Sequence, residues 1–471
     1  MEERDFDEMS PVDIISSVER YEEMVNSGAS SFFDVSTFEH IIQYYELKEQ
    51  WKKALHVLDY AIGQHPFSTS LLIKKAGLLI YYRKFKESFA LLEQAEALEP
   101  SDIAIFILRS DLYVEKGMHK EALEVLDHAI KIADKGDHEE LYLEVADVYE
   151  DCDRYDMVFE CLKKVLGMNS SNEEALSRMW YVVELSKKFD ESIELHKGIL
   201  DNDPYSYLAW HNLGHAYFDL GMYEKAVEAY EFVTAINESC DLAYRDCGEA
   251  YFQLKQYHKA IDQFQLAIEF SKPYEELFFS IGVCLEKLKD YNKARTFYRK
   301  AITIDPKYDE AYFRIGETYK REKLWSNALN FYKKALRLMP DNVQYLMGMA
   351  VGFYKREDVS ALIFACQSIM ALNPRHKPKG IYEKLITYLI DLECYLDAIK
   401  LLDFAAIEKG EMPSFPFLRS ASLFKIGLKK EAIAWLEEGL SNNYAKHKVM
   451  FKLAPELKND PIITSIIEQF K

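Results

Sequence analysis

Residues 309–342 read DEAYFRIGETYKREKLWSNALNFYKKALRLMPDN, and they show the structural pattern of the chain most clearly. Its first part has apolar and small residues at spacings i, i+3, i+4 and i+7, which place them on one face of a helix: Tyr312, Ile315, Gly316 and Tyr319. Its second part has a similar set at Ala328, Tyr332 and Ala335. Pro340 ends the second helix, because proline lacks the N–H donor and clashes inside a helix. The stretch therefore predicts a hairpin of two helices.

This hairpin recurs along the chain with a period of 34 residues. Six prolines lie 34 residues or a multiple of 34 apart, with two extra residues before the third: Pro66, Pro100, Pro204, Pro306, Pro340 and Pro374. Counting in this register predicts repeats that begin near 35, 69, 103, 139, 173, 207, 241, 275, 309, 343, 379 and 413. The connections before 139 and 379 are two residues longer than the rest. A fixed period of this length indicates one structural element stacked along a line.

Small residues recur at fixed places within the repeats, where helices are expected to cross closely. Place 8 of four consecutive repeats is glycine: Gly214, Gly248, Gly282 and Gly316. Place 20 is alanine in eight repeats: Ala54, Ala122, Ala226, Ala260, Ala294, Ala328, Ala398 and Ala432. Large residues fill the volume between these crossings: Tyr217, Tyr251, Leu285 and Tyr319.

These places carry a resemblance to the tetratricopeptide repeat family. The chain is similar to that family in its small residues at places 8, 20 and 27, its aromatic residues at 11 and 24 and its proline at 32, over roughly 35–446. The repeats at 173, 343 and 379 depart most, with Trp180, Ala350 and Ile386 at place 8 and Ser192 and Leu362 at place 20. The resemblance implies an all-α, right-handed α-solenoid superhelix of about twelve helix-turn-helix repeats.

The flanking segments resemble the caps that a solenoid needs on its terminal faces. We expect 1–34 to be an acidic N-terminal arm with a capping helix, which Ser10, Pro11 and Asp13 would begin. Residues 35–446 would form the repeat array, and 447–471 a C-terminal capping helix. A docking role for one terminal helix remains the alternative.

The composition limits the classes of function. Only 18 of the 471 residues are glycine, which leaves little room for strands joined by turns. The net charge is −20, which disfavours binding to nucleic-acid phosphate or to anionic membranes. The seven cysteines are scattered without a C-x-x-C pair, so we expect neither disulfides nor zinc. The start, MEERDFDE, is unlike a signal peptide, and a cytoplasmic protein is expected. Nucleotide-binding and hydrolase motifs are missing, and we expect no enzyme, no catalytic residue and no cofactor.

In such a solenoid the first helices line a concave groove, and the register assigns places 2, 5, 6, 9, 12 and 13 to it. The acidic groove residues that we select are Asp111, Glu144 and Asp147. The central ones are Tyr181, His211, Asn212, His215, Phe218, Arg245, Glu249, Phe252 and Phe279. Aromatic anchors and flanking charges of this kind suit an extended peptide or a partner helix, here with basic segments. The function expected is therefore that of a non-catalytic scaffold or adaptor for protein partners.

Three other interpretations compete with this one. A chaperone-tail clamp is not supported, because the neighbours of Asn212 do not form the cationic set that it needs. His211 and His215, with Glu249 as a third ligand, would make a weak metal site, and no metal is predicted. Self-assembly through end helices or convex faces remains the alternative function, so the oligomeric state is left open.

Overall fold

The computed structural model describes residues 11–28, 30–272, 274–378, 380–410 and 412–471, and the described chain is helical without any strand. Contacts divide the chain into two halves, Met1–Glu238 and Ser239–Lys471, which are described separately below. Ser10, which was expected to begin the first helix, lies outside the described residues.

The N-terminal half consists of one leading helix, α1 (Pro11–Ser27), and six helical hairpins. The hairpins are α2 (Val35–Leu47) with α3 (Trp51–Gln64), α4 (Thr69–Tyr81) with α5 (Phe85–Leu98), α6 (Ile103–Glu115) with α7 (His119–Ile132), α8 (His138–Asp151) with α9 (Tyr155–Met168), α10 (Glu173–Ser186) with α11 (Phe189–Asn202), and α12 (Tyr207–Asp219) with α13 (Tyr223–Ile236). Helix α1 packs on the first hairpin through Tyr21, whose hydroxyl is 3.1 Å from Nδ1 of His56.

The C-terminal half has six further hairpins and a short helical end. The hairpins are α14 (Asp241–Gln253) with α15 (Tyr257–Phe270), α16 (Glu275–Lys287) with α17 (Tyr291–Ile304), α18 (Asp309–Arg321) with α19 (Trp325–Leu338), α20 (Val343–Lys355) with α21 (Val359–Ala371), α22 (Ile381–Asp391) with α23 (Tyr395–Lys409), and α24 (Phe415–Lys425) with α25 (Lys429–Asn443). The expected single helix over 447–471 is instead divided into α26 (Lys448–Leu453) and α27 (Pro461–Gln469). Pro455 and Pro461 explain the division, because proline is tolerated only in the first turn of a helix.

The turn inside each hairpin has the same backbone geometry at place 15. All twelve hairpins have a residue with positive φ there, which is glycine in three: Gly117, Gly221 and Gly427. Nine other residues adopt the same left-handed conformation: Glu49, Arg83, Asp153, Lys187, Lys255, Lys289, Lys323, Glu357 and Glu393. This conformation reverses the chain between the two helices, and it recurs at the same place in every hairpin.

The predicted close crossings are present. A Cβ atom built on Gly214 would lie 2.5 Å from the Tyr230 ring, and one on Gly316 would lie 2.5 Å from Tyr332. The place-20 alanines named above are all fully buried. The small residues therefore let the two helices of a hairpin approach each other, as the sequence predicts.

The two longer connections form irregular turns. Each contains a 3-10 turn, at Lys135–Asp137 before α8 and at Pro374–His376 before α22. The second is anchored by Lys377, whose side chain is fully buried and whose ammonium donates to Glu408 at 2.7 Å and to the Met370 carbonyl at 2.9 Å. The inserted residues thus change the connection and leave the repeat register intact.

Candidate functional site

The acidic part of the site lies on the first helices of the N-terminal half. Asp111 is on α6, and Glu144 and Asp147 are on α8. Burial raises the pKa of Asp111 to about 6 and that of Glu144 to about 7, and the charges of neighbouring carboxylates add to both increases. Among these neighbours, Asp147 acts on both groups and Asp111 acts on Glu144, so the structure brings the three predicted acidic residues together.

Arg178, on the next first helix α10, partly neutralises this acidic surface. Its guanidinium donates to Glu150 at 2.7 Å and lies 2.6 Å from Asp147 and 3.2 Å from Glu174. Even so, burial outweighs the arginine at Asp147 and raises the pKa of that carboxyl above its usual value. The surface, formed by α6, α8 and α10, therefore holds carboxylates in excess of the cation that binds them. We call it the acidic surface: Asp111, Glu115, Glu140, Glu144, Asp147, Glu150, Glu174 and Arg178.

Aromatic side chains lie beside the acidic surface, on α10 and α12. The Tyr181 hydroxyl donates to Glu150 at 3.0 Å, which ties this ring to the carboxylates. The rings of His211 and His215 are 4.5 Å apart, and both pack near Tyr230. Phe218 packs on Tyr223 of the following helix at 5.3 Å, at the turn of its own hairpin.

Trp180 joins this aromatic group, although the sequence assigned place 8 to the helix crossing. Its side chain is 44% exposed, and its ring lies 5.7 Å from His215 and 5.5 Å from Tyr181. Place 24 of the same repeat is His196 instead of the usual large aromatic residue, and it is fully buried. The paired change at places 8 and 24 is the signal in the sequence that would have identified Trp180.

Asn212 differs from the other selected residues because it is buried, with 4% of its surface exposed. Its amide Nδ2 donates to the Leu176 carbonyl at 2.8 Å, and so it joins α12 to α10. Its side chain is used inside the array and is not available at the surface. The position at place 6 was correctly assigned to the first helix, but its exposure depends on a hydrogen bond that the periodicity does not show.

In the C-terminal half, three of the predicted residues line one cavity of about 290 Å³: Glu249 and Phe252 on α14 and Phe279 on α16. The rest of the lining is Phe264, Ser280, Val283, Lys287 and Arg314. Arg245 lies on the same helix as Glu249 but is paired with its neighbour Asp246 at 2.8 Å. The structure thus places both predicted aromatic residues of this half, Phe252 and Phe279, at one cavity that carries charges of both signs.

Hairpins of this length and packing, in tandem, define an all-α repeat array. Models of the tetratricopeptide repeat match residues 103–135, 207–240, 247–274, 276–308 and 309–342, about a third of the chain. These five segments of the chain are tetratricopeptide repeats. Such repeats are interaction modules that are generally non-catalytic, which makes the chain a scaffold for protein interactions.

Solved structures that resemble the chain include two of MamA and one of YrrB. One MamA structure is 28% identical, with 35% of this chain and 95% of MamA covered and a TM-score of 0.33. A second is 23% identical, with 45% and 96% covered and a TM-score of 0.31. YrrB, described as a TPR protein with an unusual peptide-binding site, is 19% identical, with 38% and 93% covered and a TM-score of 0.33. No curated protein matches the chain significantly.

Within the described ranges, every helix is too short or too polar to cross a bilayer.

Proposed function

We propose that this protein is a cytoplasmic scaffold that binds a partner segment along the first-helix face, with basic residues of the partner on the acidic surface. The aromatic group of Trp180, Tyr181, His211, His215 and Phe218 would pack beside them. Asn212 is left out of the contact set because its side chain is buried and hydrogen-bonded. In the C-terminal half, Glu249, Phe252 and Phe279 would contact a further part of the partner, and Arg245 would lie at the edge of that contact.

One observation carries the proposal, namely that Asp111 and Glu144 lie half-buried among other carboxylates on α6 and α8, an arrangement that raises the pKa of both. These carboxyls are partly buried next to other carboxylates, so ionising them costs free energy in the unbound protein. A lysine or arginine of a partner would relieve that cost, as Arg178 already does in part for Asp147. The acidic surface therefore favours cations over neutral or acidic segments.

The test compares labelled peptides of equal length that are basic, neutral or acidic, with fluorescence anisotropy as the measurement. We expect only the basic peptide to bind, with an affinity that falls as salt is added. The double variant Asp111→Asn/Glu144→Gln should weaken binding by about tenfold, roughly threefold for each charge removed. The control variant Glu93→Gln/Glu228→Gln, which removes two exposed carboxylates from second helices of the same half, should bind as the wild type does.

Replacing Arg178 should change the affinity for the basic peptide in the opposite direction. Because its guanidinium competes with the partner for Asp147, Glu150 and Glu174, Arg178→Gln should tighten binding of the basic peptide by about threefold. Equal binding of all three peptides, or equal loss in the control variant, would show that the acidic surface is not the binding site.

Self-assembly is the second candidate, and the C-terminal end provides its observation. Ile462 on α27 is 61% exposed and Phe470, which follows that helix, is 37% exposed. Exposed apolar side chains at the end of an array are suited to contacts between copies. Light scattering over a concentration series should show a mass that rises with concentration, and Ile462→Lys should abolish the rise. A constant mass of about 55 kDa would rule out this candidate.

A further inference from the structure

The cavity of the C-terminal half combines an apolar floor with opposite charges on its walls. Phe252, Phe279 and Val283 are half-buried, and Phe264 beneath them is 1% exposed. Glu249 stands on α14, whereas Lys287 ends α16 and Arg314 is on α18. The carboxylate thus lies on the first of three successive first helices, and the two cations lie on the second and the third.

Hydrogen bonds hold two of these charged groups in place. The Glu249 carboxylate accepts a hydrogen bond from Gln253 one turn along α14, at 3.1 Å. Arg314 donates to Glu310 one turn before it on α18, at 3.3 Å, while about a third of its side chain stays exposed. Each group keeps capacity for a further partner, since a carboxylate accepts several hydrogen bonds and a guanidinium has five N–H donors.

The size of the cavity limits what can enter it. A volume of about 290 Å³ lies just below the range of about 300–1,000 Å³ for small-molecule pockets. It suits one bulky side chain, and it is too small for the apolar face of a whole helix. The aromatic rings around the floor supply the contact area that makes such an anchor worthwhile.

The geometry points to a seat for one bulky apolar residue of the partner, flanked by a basic residue on the Glu249 side and by an acidic residue on the Lys287 and Arg314 side. Charge complementarity on the two walls selects this occupant over segments that carry one sign of charge. The inference rests on the proposed function, partner binding on the first-helix face, and it specifies the chemistry that the C-terminal half recognises.

The test uses the full chain and capped peptides with a central Lys-Leu-Asp or Asp-Leu-Lys between glycine and serine. Saturation-transfer NMR titrations suit the weak affinity of such short ligands. One of the two orders should bind, Leu→Ala in the peptide should weaken it about tenfold, and replacing either charge by its amide or by norleucine should weaken it about threefold. No binding of either order would overturn the inference.

Protein variants then assign each charge to its wall. Arg314→Met should weaken the preference for the peptide carboxylate, since only Lys287 remains, and should keep the preference for its ammonium. Glu249→Gln should abolish the preference for the ammonium and keep that for the carboxylate. Ser280→Trp should fill the cavity and abolish binding. Arg337→Met and Gln367→Trp, at exposed positions on α19 and α21, are the matched controls. Circular dichroism verifies that each variant folds, and the two charge variants decide the question if Ser280→Trp does not.

Charge preferences that persist in both variants would overturn the inference.

Failure of this inference can be distinguished from failure of the proposed function. The variant Asp111→Asn/Glu144→Gln alters only the basic peptide, and Arg314→Met alters only the mixed-charge peptide. A loss of one effect with the other intact identifies which half lacks the proposed site.

Discussion

At Gly214 the two helices cross so closely that only the hydrogen atom of a glycine fits between them. An added Cβ would lie 2.5 Å from the ring of Tyr230, which is 1% exposed and has no room to move. We expect Gly214→Ala to lower the free energy of unfolding by about 1–3 kcal/mol through overpacking. Gly198→Ala, in the middle of α11 with nothing within 4 Å, should instead raise it by about 0.5–1 kcal/mol.

Urea denaturation followed by circular dichroism distinguishes the two glycine variants by the sign of the midpoint shift. A stabilised Gly214→Ala variant would contradict the role that the repeat register assigns to place 8.

Lys377 is the residue whose loss should cost the most stability near the irregular connection. Its buried ammonium is bound by Glu408, by the Tyr382 hydroxyl at 3.0 Å and by the Met370 carbonyl. Lys377→Met leaves the Glu408 carboxylate buried without its cation, and we expect a loss of about 3–5 kcal/mol. The double variant Lys377→Met/Glu408→Leu should recover most of this loss, as measured by urea denaturation. A double variant as unstable as the single one would show that packing, and not the buried charge, is responsible.

The sequence predicted backbone positions better than side-chain partners. The glycines at place 8 lie against aromatic rings at the helix crossings, and the alanines at place 20 are fully buried. The exposure of Trp180, the burial of Asn212 and the ion pairs of Arg178 were missed, because each depends on a contact between different helices. The period of a sequence shows which face of a helix a residue occupies. Contacts with side chains of neighbouring helices decide whether that residue is exposed, and the period does not show them.

At the scale of one element, the turn inside each hairpin carries a repeated backbone cost. Lys323 has a φ of 62°, in the region where a Cβ is unfavourable. Lys323→Gly should therefore raise the free energy of unfolding by about 0.5–1 kcal/mol, after the greater entropy loss of glycine is subtracted. Gly221→Ala, at the same place with a φ of 73°, should lower it by about 1 kcal/mol.

The midpoint of thermal unfolding is the measurement for both turn variants. Shifts of the same sign in the two would contradict the left-handed turn at place 15. The last two first helices, α22 and α24, are 11 residues long, whereas the others have 13 or 14, and so the last hairpins vary in helix length without altering this turn.

At the scale of the whole molecule, the net charge is −20, and the acidic surface holds two carboxyl groups whose ionisation is unfavourable in the folded protein, Asp111 and Glu144. The folded pKa of Asp111 is about 6 and that of Glu144 about 7, against ordinary values of 3.8 and 4.5. Between these limits the folded protein holds more protons than the unfolded chain does. The contribution of these groups to stability is therefore full below about pH 4, and it is lost as the pH rises through about 6–7.

The same ionisation should strengthen binding while it weakens the fold. As the pH rises from about 5 to about 8, we expect the affinity for the basic peptide to increase and the free energy of unfolding to decrease. Asp111→Asn/Glu144→Gln should flatten both profiles, being more stable than the wild type at about pH 8 and weaker in binding there. Urea denaturation and anisotropy titrations over that range measure the two profiles. The expected profiles follow because carboxylates that would bind a basic partner destabilise the fold while that partner is absent. A stability that instead rises with pH over this range, in the wild type and in the variant alike, would show that these carboxyls do not repel one another.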